Sequence, residues 1–130
     1  MRLTGIDHVV LRVKDLEAMI AFYTDVLGCT VERRRDDIGL IQLRAGASLI
    51  DLVPVESRLG RQGGAPPGAE GRNLDHLCLS VADFDVDAVR AHLERSGVKV
   101  GEAGLRYGAK GEAWSIYLED PDGNALELRG

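Results

Sequence analysis

Two histidines and two carboxylates in this chain fall where alternating strands would aim them to one side. His8 lies in GIDHVVLRVKDL, which starts at Gly5, and His76 lies in NLDHLCLSVADF, which starts at Asn73. Both segments carry Asp-His, then alternating apolar residues, then a further aspartate, at an offset of 68 residues. Asp51 stands in the apolar run SLIDLVPV and Glu127 in NALELR. Imidazole nitrogen with carboxylate oxygen is a donor set for Zn, Ni, Mn, Co or Fe(II). The chemistry in view is a centre for one divalent metal, and residue types do not choose among these ions.

Strand parity decides whether the four can meet. Successive side chains of a strand point to opposite faces. His8, Val10 and Arg12 therefore share one face, and Val9, Leu11 and Val13 the other. In the repeat, His76, Cys78 and Ser80 oppose Leu77, Leu79 and Val81. Asp51 shares its face with Leu49 and Val53, opposite Ile50 and Leu52, and Glu127 shares its face with Ala125 and Arg129, opposite Leu126 and Leu128. A lone strand histidine is most often a core or surface residue, and a lone acid is usually solvated. Four in matched phase, two per repeat, point to a shared site on the face turned away from the helices. His92 falls between charged residues of a helical pattern and reads as surface.

The positioning elements follow from the repeat. After the first strand, Asp15 is a candidate N-cap, and Leu16, Met19, Ile20, Tyr23, Val26 and Leu27 recur at helical spacing up to Gly28. After the second, Asp83 or Asp85 is the cap, and Val86, Val89 and Leu93 continue to Gly97. Strand-like stretches then follow at 30–34, 39–44 and 48–54 in the first half, and at 98–101, 113–119 and 125–128 in the second. The last two are joined by the turn residues Asp120-Pro121-Asp122-Gly123-Asn124. Each half reads β-α-β-β-β, which makes the chain α+β. Module one spans about 1–55, a linker about 56–72, and module two about 73–130, within one domain. The linker holds Pro66-Pro67, five glycines and the arginines Arg58, Arg61 and Arg72. It reads either as a plain solvated connection or as a lid that supplies an arginine to an anionic substrate.

Composition narrows the class. With 130 residues, the chain is long enough to bury a core without disulfides. A formal net charge of -5 argues against a nucleic-acid partner. No apolar run reaches the roughly 18 to 20 residues of a membrane span, and the first residues lack a signal peptide's apolar stretch. A cytoplasmic location is expected, with Cys29 and Cys78 as packed thiols.

The stretches DHVVLRVKDL, AFYTDVLG, SLIDLVPV, DHLCLSVADF and YLEDPDGNALEL, in that order, resemble the vicinal oxygen chelate superfamily. This group includes glyoxalase I, methylmalonyl-CoA epimerase, extradiol dioxygenases and fosfomycin-resistance thiol transferases. The resemblance covers nearly the whole chain and implies paired βαβββ modules with curved mixed sheets around a metal cleft. The family's ligand positions, on the first and fourth strands of each module, fall on His8, Asp51, His76 and Glu127. The position of Asp51 is usually Glu or Gln in the glyoxalase and epimerase branches, so its side chain here is one methylene short. Arg12 matches an arginine that bacterial glyoxalase I uses toward glutathione, but Leu-Val-Pro-Val-Glu after Asp51 replaces the stretch with that enzyme's glutathione-binding asparagine. By the resemblance, Glu127 is ligand and proton shuttle, with Asp51 its counterpart.

The resemblance also implies an assembly. Members of this length commonly dimerise module to module, because one βαβββ sheet is too open to enclose a site. The expectation is a homodimer in which His8 and Asp51 face the partner's His76 and the partner's Glu127. Three functional readings stay open. The first is a glyoxalase-like lyase or isomerase of a small vicinally oxygenated metabolite, a thiol adduct among the candidates. The second is an Fe(II) extradiol-type dioxygenase using His8, His76 and Glu127. The third is a metal-free drug-sequestering protein of the bleomycin-resistance type.

Overall fold

The computed structural model describes residues 1–130 and divides into two compact units, residues 1–73 and 74–130. The first unit contains β1 (His8–Val13), α1 (Leu16–Ala21), β2 (Thr30–Arg35), β3 (Leu40–Ala45) and β4 (Ser48–Pro54). The second contains β5 (Leu77–Ser80), α2 (Val86–Arg95), β6 (Val100–Gly108), β7 (Gly111–Glu119) and β8 (Ala125–Arg129). Each unit is thus β-α-β-β-β, with one mixed, open, curved sheet, ordered β1-β4-β3-β2 in the first and β5-β8-β7-β6 in the second. The first strand of each unit runs parallel to its fourth, and the remaining pairs are antiparallel. No helix is long and apolar enough to cross a membrane.

The alternation read from sequence sorts each sheet into two faces. In the first unit Leu11, Val13, Ile41, Leu43, Ile50 and Leu52 are buried, together with Met19 of α1. In the second, Ile116, Leu118, Leu126 and Leu128 are buried, as is Leu93 of α2. Burying a Leu or Ile side chain stabilises by about 1.5–3 kcal/mol, so these faces hold each helix to its sheet and fix strand register. A slip of one residue would turn His8 or Glu127 into the core. Both helices start on an aspartate: Asp15 accepts from the Ala18 N–H at 3.1 Å, and Asp85 accepts from the Ala88 N–H at 2.8 Å. Each such cap contributes about 1 kcal/mol. Asp85, not Asp83, is the cap; Asp83 sits in the left-handed region at φ 49.

Three sequence expectations need correction. The first helix is not α-helical through Leu27. After Ala21 it widens into a π-helical segment, Phe22–Val26, which buries the consecutive rings of Phe22 and Tyr23 edge to face at 5.4 Å. The Thr24 hydroxyl donates to the Ile20 carbonyl within this segment, a contact that competes with regular helix. The strand expected at 98–101 is the nine-residue β6, with a register shift between Val100 and Ala103. Gly101, Gly104 and Gly108 hide its period; a Cβ on Gly108 would overlap the guanidinium of the buried Arg129 and displace it, whereas one on Gly104 would meet only the tip of the part-exposed Arg106 side chain at 2.7 Å. Cys29 is packed as expected, but Cys78 is an exposed free thiol, because it lies on the face away from α2.

Candidate functional site

Every candidate ligand lies on the non-helix face of its sheet, and each unit joins one histidine to one carboxylate. In the first unit, the β1–β4 register places Val10 beside Asp51 and Arg12 beside Val53, and β3 places Gln42 on the other side of Asp51. His8 and Asp51 line one cleft of 480 Å³, together with Arg12 and, from the linker, Leu59, Gln62 and Gly63. Asp51 is only 3 % exposed. Its Oδ2 accepts from Gln42 Nε2 at 3.1 Å, while its Oδ1 is buried with no hydrogen-bond partner.

The second unit repeats this arrangement with different neighbours. Cys78 flanks Glu127 on one side and Tyr117 on the other. Glu127 is 5 % exposed; the buried Ser115 hydroxyl donates to its Oε1, and its Oε2 lies 3.4 Å from His76 Nε2. The Tyr117 ring meets His76 edge to face at 6.2 Å, and the Arg106 guanidinium covers that ring at 5.6 Å. Neither unit gathers three His, Cys, Asp or Glu side chains suited to one metal ion.

Both histidines turn the same nitrogen toward a chain neighbour. His8 Nδ1 is 2.6 Å from Asp7 Oδ1, and His76 Nδ1 is 2.7 Å from Asp75 Oδ1. A carboxylate on Nδ1 favours the tautomer with a bare Nε2, the form a metal or a proton donor needs. The Asp7 hydrogen bond, chiefly, holds the His8 pKa above the ordinary imidazole value, with the charge of Asp51 adding to it. Burial pushes the Cys78 thiol up, and the nearby Glu127 charge adds to the rise. The Asp-His repeat marked both histidines from sequence; the roles of Asp7, Asp75, Gln42 and Ser115 were missed. Only Asp7 and Asp75 left a signal, as the residue repeated before each histidine.

Arg12 is placed on the site face, as its phase requires, but its guanidinium is turned into the linker. Nε donates to the Gly60 carbonyl at 3.2 Å, Nη1 to Gly63 and Ala65 at 2.9 Å each, and Nη2 to Gly64 at 2.8 Å. Asn73 Nδ2 adds a bond to the Arg12 carbonyl at 2.8 Å. The segment includes a 3-10 turn, Gly60–Gly63, and it can seat this way only as glycine at two points. A Cβ on Gly60 would collide with the Pro54 carbonyl, and one on Gly63 would come within 2.4 Å of Arg12 Nε. Arg58, Arg61 and Arg72 are exposed, and none of them lines the cleft.

Within each unit the donor types, one imidazole and one buried carboxylate, are those a divalent ion takes, and in the first unit one carboxylate oxygen lacks any donor. Comparison with known proteins shows the family to which this fold belongs. A virulence protein of Salmonella typhimurium is 34 % identical over 98 % of this chain and 85 % of its own length. Its crystal structure superposes with a TM-score of 0.79 over 99 % of this chain and 98 % of that one. A lactoylglutathione lyase of the same organism is 30 % identical over 93 % of this chain and 88 % of its length. The glutathione transferase FosA of Serratia marcescens is 29 % identical over 97 % and 80 %. The family model for the glyoxalase/bleomycin resistance protein/dioxygenase superfamily matches residues 5–128, and the chain belongs to that superfamily.

Proposed function

We propose that this protein is a glyoxalase-like, metal-dependent lyase or isomerase of a small, vicinally oxygenated metabolite, with His8, Asp51, His76 and Glu127 around one divalent ion (Zn, Ni, Mn, Co or Fe). The observation that carries the proposal is the buried, donorless Asp51 Oδ1 in the same cleft as His8. Leaving such an oxygen unpaired costs about 1–3 kcal/mol, and more when it is charged; a cation held there supplies the missing partner. A bound divalent ion would act as Lewis acid toward two neighbouring substrate oxygens.

The chain's own residues account for the rest. His8 and His76 present Nε2, with Nδ1 turned to Asp7 and Asp75. Glu127 is the group to move a proton between substrate carbons: it is buried and its orientation is set by the Ser115 hydroxyl. A base so fixed typically contributes ~10²–10⁴-fold in rate. Relatives named as a lactoylglutathione lyase and a glutathione transferase support small-molecule chemistry of this kind.

The test is metal analysis of protein purified without chelator or added metal, followed by a substrate panel of 2-oxo aldehyde–thiol adducts and α-hydroxy carbonyl compounds read by absorbance and an oxygen electrode. Metal-dependent turnover without oxygen uptake is expected, and His76→Ala should remove most metal affinity. Failure to take up any of the five metals sinks the proposal. Stoichiometric oxygen consumption with Fe(II) would replace it with a ring-cleaving dioxygenase, and a tight complex without turnover would replace it with a sequestering protein.

The same proposal includes a cytoplasmic homodimer, with His8 and Asp51 facing the partner's His76 and the partner's Glu127. An exposed free thiol at Cys78 suits a reducing compartment, and two donors per unit leave each half-site in need of another. Mixing a His8→Ala preparation with a His76→Ala preparation tests the sharing. Subunit exchange should restore metal binding to one site per mixed dimer, since one of its two shared sites keeps both histidines. No restoration, or a monomer at micromolar concentration by light scattering, would refute shared sites.

A further inference from the structure

We infer that the cleft of the first unit receives the arm of the substrate remote from its reacting oxygens, and that this arm is uncharged and largely apolar. The inference rests on the proposed reading for which end of the ligand reacts. Inside the 480 Å³ cleft, a size within the ~300–1,000 Å³ of small-ligand pockets, the candidate metal-binding groups are His8 and Asp51. Val10, Leu40, Val53 and Leu59 supply aliphatic surface, and Gln62 supplies a neutral amide.

Charge decides the class of ligand. Arg12 is the one basic side chain other than His8 that lines the cleft. A guanidinium has five N–H donors, and four of them go to the carbonyls of Gly60, Gly63, Gly64 and Ala65. The glycines at 60 and 63 let the loop come down onto it. Arg12 therefore fastens the cleft wall, and a glutathionyl arm, with its two carboxylates and ammonium, would meet aliphatic side chains and the Asp51 charge. Placing an unpaired carboxylate there is costly. A neutral alkyl or aryl arm carries no such cost.

The experiment uses metal-free protein and two neutral-head probes of similar shape, 4-tert-butylbenzyl alcohol and 4-(hydroxymethyl)benzoate, titrated while the Val and Leu methyl groups are followed by NMR. Because no metal is present, the outcome is independent of whether the metal proposal holds. The alcohol should shift the methyls of Val10, Leu40, Val53 and Leu59 and bind at least tenfold more tightly than the carboxylate. Gln62 is exposed, so Gln62→Arg should fold normally; it places a free cation at the cleft wall and should bring the ratio to one or reverse it. Equal or tighter carboxylate binding by the wild type, no shift of the cleft methyls by either probe, or an unchanged ratio in Gln62→Arg overturns the inference.

Discussion

The two sheets carry the same rungs and finish them differently. Val10 beside Asp51 corresponds to Cys78 beside Glu127, and Gln42 across from Asp51 corresponds to Tyr117 across from Glu127. One rung further on, the arginine changes strands: Arg12 with Val53 in the first unit, Ser80 with Arg129 in the second. Glu127 has Oε1 held by Ser115 and Oε2 lying 3.4 Å from His76 Nε2, whereas Asp51 has one oxygen held by Gln42 and one without a donor. The arginines differ in what they fasten. Arg12 binds the linker carbonyls, while Arg129 reaches Gly111 at 2.7 Å and Arg106 at 3.4 Å, tying the end of its own β6–β7 hairpin. A duplicated module thus keeps its donor positions fixed by strand parity and varies the residues that orient them. The second unit holds a preset carboxylate; the first holds an incomplete one beside a cleft.

The largest effect should separate the two carboxylates. Glu127→Gln keeps an oxygen donor but removes the proposed base, so on that reading turnover should fall ~10²–10⁴-fold while part of the proposed metal stays bound. Asp51→Asn should cost less, because the shorter side chain reaches less far and its fixed oxygen faces Gln42. Steady-state rates with metal content measured on each variant decide this. Equal losses would mean that the two units contribute alike to the chemistry.

A middle-sized effect should separate the arginines. Arg129 is 5 % exposed, and Arg129→Leu removes a charged donor from the part-buried Gly111 carbonyl, at a cost to global stability of about 1–3 kcal/mol, read as a lower Tm. Arg12→Leu should change the Tm less and the linker more. Limited trypsin digestion after Arg58 or Arg61 should speed up, because four bonds to residues 60–65 are lost. Trypsin cleavage of the linker at the wild-type rate would show that Arg12 does not hold it.

The ease with which these units could be read from sequence followed the range of the interactions. Alternation and helix caps are local, so the repeat and the side-chain faces were legible in GIDHVVLRVKDL and its copy, and the phases of Asp51 and Glu127 in SLIDLVPV and NALELR. The bonds of Arg12 link residues about fifty positions apart, and only the fold reveals that the linker comes back to β1. Ser115 reads as one more polar residue on a strand until its burial at 0 % exposure and its bond to Glu127 are known. The length of β6 was hidden because glycines interrupt its alternation, and one of them, Gly108, leaves room for the Arg129 guanidinium and marks no turn.

The smallest difference lies in the residues that orient the carboxylates. Ser115→Ala leaves Glu127 Oε1 buried without its donor, which costs about 1–3 kcal/mol and lets the carboxylate rotate. Gln42→Ala removes a bond from an aspartate that already has one donorless oxygen, and Gln42 is only half-buried, so water can replace its amide. The expected stability loss is therefore larger for Ser115→Ala, and kcat should fall several-fold there with KM little changed. Ser115→Thr, which keeps the hydroxyl, should recover most of kcat if its extra methyl is accommodated, whereas a purely structural role would follow stability alone. Chemical denaturation and steady-state kinetics on the three variants make the comparison. If Gln42→Ala proves the more damaging, then Asp51, not Glu127, is the carboxylate whose orientation matters, and the contrast between the two units reverses.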